Sequence, residues 1–271
     1  MNYKVKQKSR AISPLTLFPL LSLALFIVVW YCAAAAIKSE FLLPKPTVVA
    51  KEFIAALSSS KFYASLFTTA GRALGSFACA FLLAGGLAVL AYNFLWIEKF
   101  CYPLVLLMRV TPTMSVIFLT IVWFDSSFSP FATCYFVIFP MVYAGVLSAL
   151  KRVDKRLLQM ADVYGFSEKD RVFGLYLPQI AGAVYSDASS QLSFTVKLAV
   201  AGEAVSQSAG SLGFLLQSAK ANLETGMMFA YSIAAVILGF LFELALTLIK
   251  KAFLKASSNG CFNKAKNKKA G

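Results

Sequence analysis

The chain has 271 residues, of which 59% are hydrophobic and 14% are charged, and its formal net charge is +14. Soluble domains carry about 25% charged residues, so this composition indicates a membrane protein. Histidine is absent, which excludes imidazole metal sites and histidine-based catalysis. The five cysteines form no C-x-x-C pair, and no G-x-x-x-x-G-K-[ST] phosphate-binding loop occurs. We therefore expect neither a disulfide framework nor an ATP site in this chain.

Long apolar runs predict an all-α polytopic membrane protein, because a spanning helix needs about 20 mostly apolar residues. The first run is too long for the core of a signal peptide, so we expect an uncleaved helix. A short amphipathic helix is predicted from the sequence PTVVAKEFIAAL that follows it. In the second span, Gly71-x-x-x-Gly75 and Gly85-Gly86 favour close packing inside the bundle. About six spans are predicted, at about 14–36, 64–92, 100–124, 129–150, 178–205 and 226–250.

The distribution of lysine and arginine predicts the orientation of these helices. Of the 26 basic residues, eighteen lie on the proposed inner side, five on the outer side and three within spans. Basic residues favour the cytoplasmic side, so both termini and the segment 151–177 are expected in the cytoplasm. The basic segments 1–13 and 251–271 are then a cytoplasmic N-terminus and tail. This location explains the positive charge without a nucleic-acid partner.

A polar segment, QMADVYGFSEKDRVFGLYLP, separates the fourth and fifth predicted spans. Apolar residues before it follow one helix face, and Gly165 is a natural left-handed helix cap. Ser167 and Asp170 fit a capping box that opens a second short helix, and Pro178 suits the start of the next span. Such a segment could lie on lipid headgroups, or it could dock a soluble partner.

The spacing of this segment resembles the EAA loop of ABC importer permeases. Gln159-Met160-Ala161 is followed by three residues, Gly165, nine further residues, and then Leu175-x-Leu177-Pro178. Four other segments resemble the nitrate/taurine/sulfonate-type permeases in the same order: SLFTTAGRALGSF, MRVTPTMSVIFLTIVWF, AVAGEAV and SAGSLGFLL. The Glu-Ala opening of the family loop is replaced here by Gln159-Met160, which removes an ion pair with the ATPase. Asp162 is a candidate replacement charge.

The resemblance implies a permease subunit that is not itself an enzyme and holds no cofactor. ATP and Mg would be bound by partner ATP-binding-cassette ATPase subunits, and an extracytoplasmic substrate-binding protein would deliver the cargo. A permease homodimer in the lipid of the bacterial inner membrane is implied, with a cytoplasmic coupling helix between helices four and five. Cargoes of such permeases include nitrate, sulfonates, taurine and vitamin precursors. The residues implied to couple to the ATPase are Gln159, Met160, Ala161, Asp162, Tyr164, Gly165, Leu175, Leu177 and Pro178.

Polar residues within the predicted spans are candidates for the translocation pathway, because such residues are costly in a membrane and usually functional. Arg109 and Pro112 interrupt the third span, and a broken helix exposes backbone groups that should face a cavity. Each candidate also has a structural alternative, such as pairing with another helix or reaching the headgroups. Asp187 is a possible partner for Arg109, and Glu243 a possible hydrogen-bonding residue between helices. The candidates are Arg72, Arg109, Pro112, Lys197 and Glu203.

Three other classes of protein compete with the ABC permease. An ATP-independent secondary transporter or channel often shows inverted repeats and paired broken helices, which the sequence does not show. The second is an intramembrane enzyme, for which this chain has no histidine, no cysteine pair and no clustered carboxylates within its predicted spans. A membrane scaffold without transport activity is the third alternative, and loss of uptake on deletion would exclude it.

Overall fold

The computed structural model describes residues 14–267, which are helical almost throughout and contain no β-strand. Side chains are described for most of these residues up to Lys250. The predicted basic N-terminus, residues 1–13, lies outside the described residues. The helices are α1 (Pro14–Ile37), α2 (Pro46–Leu57), α3 (Ser60–Asn93), α4 (Leu95–Val110), α5 (Thr113–Trp123), α6 (Ser129–Lys151), α7 (Lys155–Val163), α8 (Glu168–Arg171), α9 (Leu177–Ser206), α10 (Leu212–Ala221) and α11 (Thr225–Asn267), with a π-helical turn at Val172–Tyr176 before α9.

Three of the described helices are long and apolar enough to cross a membrane by themselves. They are α3, α6 and the Thr225–Lys250 part of α11. The bent pair α4 and α5 becomes a fourth if it is counted as one span. The described apolar part of α1, Leu21–Ile37, is shorter, and α9 is more polar. Length and composition therefore establish a helical membrane protein with three to four clear spans.

The third predicted span is interrupted where the sequence indicates. Helices α4 and α5 meet at an angle of 100° across Thr111 and Pro112. A residue before proline is pushed out of the helical region, and Thr111 accordingly has φ −61° and ψ 125°. Pro112 has no N–H to continue the hydrogen bonds of α4, and it is the N-cap residue of α5.

The core of the bundle forms where α3, α6 and α9 meet. More than half of the membrane-length part of α6 is buried, as expected for a helix that is apolar on all sides. Its neighbour α3 presents a helical stripe of small, fully or almost fully buried residues to it: Ala73, Ala80, Ala84, Ala88 and Ala91. Small side chains allow close approach of helix backbones in a membrane.

Of the four glycines of α3 for which the sequence suggested close packing, one is closely packed. A Cβ atom added at Gly71, Gly85 or Gly86 would meet no atom within 4 Å. At Gly75 it would lie 3.3 Å from the ring of Phe131 on α6, which is a tight contact. The prediction is therefore confirmed at Gly75 and wrong at the other three glycines, which lie off the alanine stripe.

Two further helices bear on the predicted boundaries. The amphipathic segment forms α2, with Pro46 in its first turn and Val49 and Ala56 buried. It packs against α11. Helix α11 continues to Asn267, past the predicted end of the sixth span at 250, because the sequence KKAFLKA contains no helix breaker.

Candidate functional site

The polar segment after α6 folds as a short capped helix followed by a tight turn. Asp154 caps the start of α7, where its Oδ1 accepts a hydrogen bond from the N–H of Arg156 at 2.8 Å. At the other end, Gly165 adopts φ +63°, which glycine tolerates and other residues rarely do. The N–H of Gly165 donates to the carbonyl of Asp162 at 3.2 Å, and that of Phe166 to Ala161 at 3.0 Å. This is a Schellman motif, and it confirms the predicted cap at Gly165.

The end of α7 presents an apolar surface that the bundle leaves uncovered. Val163 is 84% exposed and Tyr164 is 73% exposed, and Leu157 and Met160 on the same helix are also exposed. Ala161, in contrast, is fully buried and fixes the other face of the helix. Exposed apolar groups clustered on a rigid turn are typical of a surface that binds another protein. We call these four exposed residues the α7 surface.

Within the segment an ion pair joins α7 to α8, and a π-helical turn joins α8 to α9. The carboxylate of Asp162 forms an ion pair with the guanidinium of Arg171, so this charge is engaged within the segment. After α8, the π turn continues into α9 at Leu177 without an intervening loop, and its Tyr176 packs edge-on against Tyr92 of α3. Helix α7 is therefore connected to α9 through α8 and the π turn. Sequence reasoning missed this π turn.

A buried ion pair joins α3 to α9. Glu203 is fully buried, and its Oε1 accepts a hydrogen bond from the guanidinium of Arg72 at 3.0 Å. Its Oε2 accepts from the hydroxyl of Thr69 at 2.7 Å and from the N–H of Gly213 at 3.1 Å. The Arg72 side chain is 16% exposed, so its charge is only partly desolvated. Buried charges require this degree of pairing.

The same cluster fixes α10 against the bundle. The N–H of Leu212 donates to the Thr69 hydroxyl at 3.0 Å, next to the Gly213 contact. The start of α10 lies so close to α9 that a Cβ on Gly213 would be 2.4 Å from the carbonyl oxygen of Val200. Only glycine fits this position. We call Thr69, Arg72, Glu203 and Gly213 the α3–α9–α10 lock.

Arg109 lies in a different environment, between two cavities. One, of about 350 Å³, lies between α4 and α6, and the other, of about 400 Å³, lies between α6 and α9. Asp187 lines the second cavity together with Arg109, but no ion pair joins them among the described residues. Its carboxylate instead packs above Gly145, where a Cβ would be 3.3 Å away. The predicted Arg109–Asp187 pairing is therefore not observed.

Lys197 lies on an open face of α9 and points away from Glu203. It is exposed, while its neighbours Val196 and Leu198 are buried. Other exposed residues of α9 recur at helical spacing along the same face, and they include Ala183, Asp187, Ser190 and Val205. In a membrane protein, a charged open face of a helix is expected to meet protein or water, since lipid would not solvate it.

The structure thus brings two predicted residues together, Arg72 and Glu203, and leaves Arg109 and Lys197 apart from them. Glu243 of α11 lies 3.3 Å from the Ser193 hydroxyl of α9, which supports its predicted role between helices. Sequence reasoning missed Thr69 and Gly213 as partners of Glu203. Gly213 in the GSLGF segment was the available signal, since the close approach of two backbones requires glycine.

These features define the class of protein: a polytopic helical membrane protein with a capped apolar surface between two of its helices and a charged open face. The chain belongs to the family of binding-protein-dependent transport system inner membrane components, whose pattern matches residues 76–256. This is a family of ABC importer permeases of the bacterial inner membrane. Membership implies an ATPase partner and a substrate-binding protein.

Individual relatives agree with this assignment. The chain is 26% identical over 207 residues to the riboflavin transport system permease protein RibX of Chloroflexus aurantiacus, covering 76% of this chain and 77% of the relative. It is 24% identical over 232 residues to the putative aliphatic sulfonates transport permease protein SsuC of Escherichia coli, covering 84% and 88%. The formylaminopyrimidine transport permease protein ThiX of Halalkalibacterium halodurans is 23% identical over 241 residues, covering 88% and 92%.

A solved structure supports the fold. An inward-facing conformation of the MetNI methionine ABC transporter superimposes with a TM-score of 0.62 at 19% sequence identity. The match covers 71% of this chain and 95% of the other. At this identity the likeness establishes the arrangement of helices and not the cargo.

Proposed function

We propose that this chain is the transmembrane subunit of an ATP-driven importer that moves a small solute inward. The α7 surface is the observation that carries this proposal beyond the family assignment. It is a capped and uncovered apolar surface at the position of the EAA-like sequence. A partner ATPase, which binds ATP and Mg, would receive it in a groove. This chain would supply coupling, gating and a pathway, and no bond chemistry.

The proposed topology has six spans, with both termini and α7 in the cytoplasm. Helices α1 and α9 are the two proposed spans outside the three to four clear ones. The sequence of α9 is polar for a span because it carries Asp187, Lys197 and Glu203. The helix nevertheless packs against both α6 and α11 within the bundle. The excess of basic residues on the α7 side supports the orientation.

The proposed pathway follows the open face of α9. Lys197 and Asp187 lie on this face, and Arg109 beside the Pro112 break borders the cavity next to it. A second copy of the chain placed against this face would enclose a polar route between two subunits. We assign Arg72 and Glu203 a different role, since the complete burial of Glu203 supports a structural lock that holds α10 in place.

For the cargo we propose no narrower class than a small solute. The relatives are named for riboflavin, aliphatic sulfonates and formylaminopyrimidine, which differ in size and charge. The cationic groups Arg109 and Lys197 are compatible with an anion. The substrate-binding protein that captures the cargo would identify it.

The docking role can be tested by placing a charge on the α7 surface. Val163→Asp removes almost no packing, because the side chain is exposed, but it would bury a carboxylate in an apolar groove. We expect the ATPase subunit to co-purify with the unchanged chain and to be lost from this variant. Leu223→Asp is the matched control, since Leu223 is 65% exposed in the turn between α10 and α11.

Retention of the ATPase by Val163→Asp, at the level of the control, would contradict docking through α7. ATP-independent uptake by a chain that purifies alone would instead favour the secondary transporter or channel.

A further inference from the structure

The residues that line the cavity between α4 and α6 carry an excess of positive charge. Arg109, Lys151 and Arg152 line it, at the end of the bundle from which α7 emerges. Glu98 is the one carboxylate among its lining residues, and it is paired with Lys151. Within the described residues, no ion pair reaches Arg109 or Arg152. Two exposed guanidinium groups therefore border a single cavity without a paired carboxylate among the described residues.

A buried hydroxyl at the same cavity also has no hydrogen-bond partner among the described residues. Tyr143 of α6 lines the cavity and is 4% exposed, and its hydroxyl makes no hydrogen bond among the described residues. Most buried side-chain polar groups in folded proteins have a partner, so an unsatisfied one indicates a missing acceptor or donor. Ser148 adds a second hydroxyl to the lining. Two guanidiniums with neighbouring hydroxyls are donors suited to an oxyanion such as a phosphate group.

The rest of the wall is apolar. Val105, Leu106 and Leu147 line the cavity beside these polar groups, and Leu106 and Tyr102 are also exposed on the outside of α4. The site therefore continues from a cationic end into the apolar surface of a spanning helix. A molecule with a charged phosphate head and an apolar tail matches a cationic end that is followed by an apolar surface.

We propose that the α4–α6 cavity binds the phosphate headgroup of an anionic phospholipid. Basic pockets between spanning helices are known to recognise such headgroups. A free phosphate ion offers the same oxygens, but it would leave the apolar wall unused. The choice of the inner leaflet rests on the proposed orientation, whereas binding itself does not depend on the transport function.

The test uses the full-length chain in detergent, freed of native lipid, and measures binding of a short-chain phosphatidylglycerol by native mass spectrometry. Phosphatidylcholine, with no net charge, is the comparison lipid. We expect Arg152→Gln to weaken binding of phosphatidylglycerol about tenfold, the scale of one hydrogen-bonded charged group. Tyr143→Phe removes only the hydroxyl and is expected to weaken it several-fold.

Lys99→Gln is the matched control, because Lys99 is an exposed cation on α4 that is absent from the cavity lining. We expect this variant to bind phosphatidylglycerol as the unchanged chain does. Gel filtration and thermal unfolding in the same detergent identify variants that have lost their fold.

Equal binding by all variants, or an equal loss in Lys99→Gln, would overturn the proposal in favour of general surface charge. Displacement of the lipid by inorganic phosphate at the same concentration would also overturn it, because the site would then prefer a soluble anion. Neither result depends on an ATPase, so the lipid site and the importer role can fail separately.

Discussion

Removing Arg72 should be one of the most destabilising single changes in the bundle. Arg72→Ala would leave the fully buried carboxylate of Glu203 with hydrogen bonds only from Thr69 and Gly213. Removing one partner of a buried ion pair costs about 3–5 kcal/mol. At about 2.1 cal/mol/K of unfolding entropy per residue, a chain of this size would then melt roughly 5–9 °C lower.

The complementary change should cost less. Glu203→Gln keeps an oxygen that can accept from Gly213, and the partly exposed Arg72 can turn toward water. We expect about 1–3 kcal/mol, the value of a charge-assisted hydrogen bond. The double variant should be close to Glu203→Gln alone, because a neutral side chain no longer needs a counter-ion. The coupling energy between the two sites then equals the cost of Arg72→Ala alone, about 3–5 kcal/mol.

Thermal unfolding of the purified chain in one detergent, followed by circular dichroism, measures all four forms of this cycle. Single-variant effects below about 0.5 kcal/mol that also add together would refute the lock. Independent residues exposed to solvent behave in this way. If the Arg72 and Glu203 variants lost transport while their melting temperatures stayed unchanged, the two residues would instead belong to the translocation pathway.

Three further changes test other parts of the structure. Gly213→Ala should destabilise the fold by about 3 kcal/mol or more, because its Cβ would overlap the Val200 carbonyl. Gly86→Ala is the control and should not destabilise the fold. Thermal unfolding checks both variants. Gly165→Val, strained at φ +63° with open space around it, should lower uptake per ATP hydrolysed in proteoliposomes while the melting temperature falls by only a few degrees. Pro112→Ala should reduce uptake by straightening the α4–α5 break, with unchanged ATPase co-purification as the control.

Local chemistry explains why several parts of the fold could be predicted from sequence. The left-handed turn at Gly165 and the break at Pro112 each depend on the conformational limits of one residue. Apolar runs located α3 and α6 because the membrane requires a fixed length of apolar helix. These features need no knowledge of what lies elsewhere in the chain.

Contacts between distant segments were beyond the reach of such reasoning. Arg72 and Glu203 are 131 residues apart, and their pairing depends on how α3 and α9 pack. A charged residue in a span has the same sequence signature whether it faces a pathway or pairs with another helix. The sequence therefore could not distinguish the role of Lys197 from that of Glu203. Packing also decided which small residues of α3 became buried, and it selected the alanines over the glycines.

The most direct test of docking through α7 is a photo-crosslink from this surface to the ATPase. A photo-reactive phenylalanine analogue would replace Tyr164, which is 73% exposed, in the transporter reconstituted in liposomes. The same analogue at Leu223, near the other end of the bundle, serves as the control. The docking role predicts an adduct of permease and ATPase from position 164 and none from position 223. No adduct from position 164, or equal adducts from both positions, would contradict it.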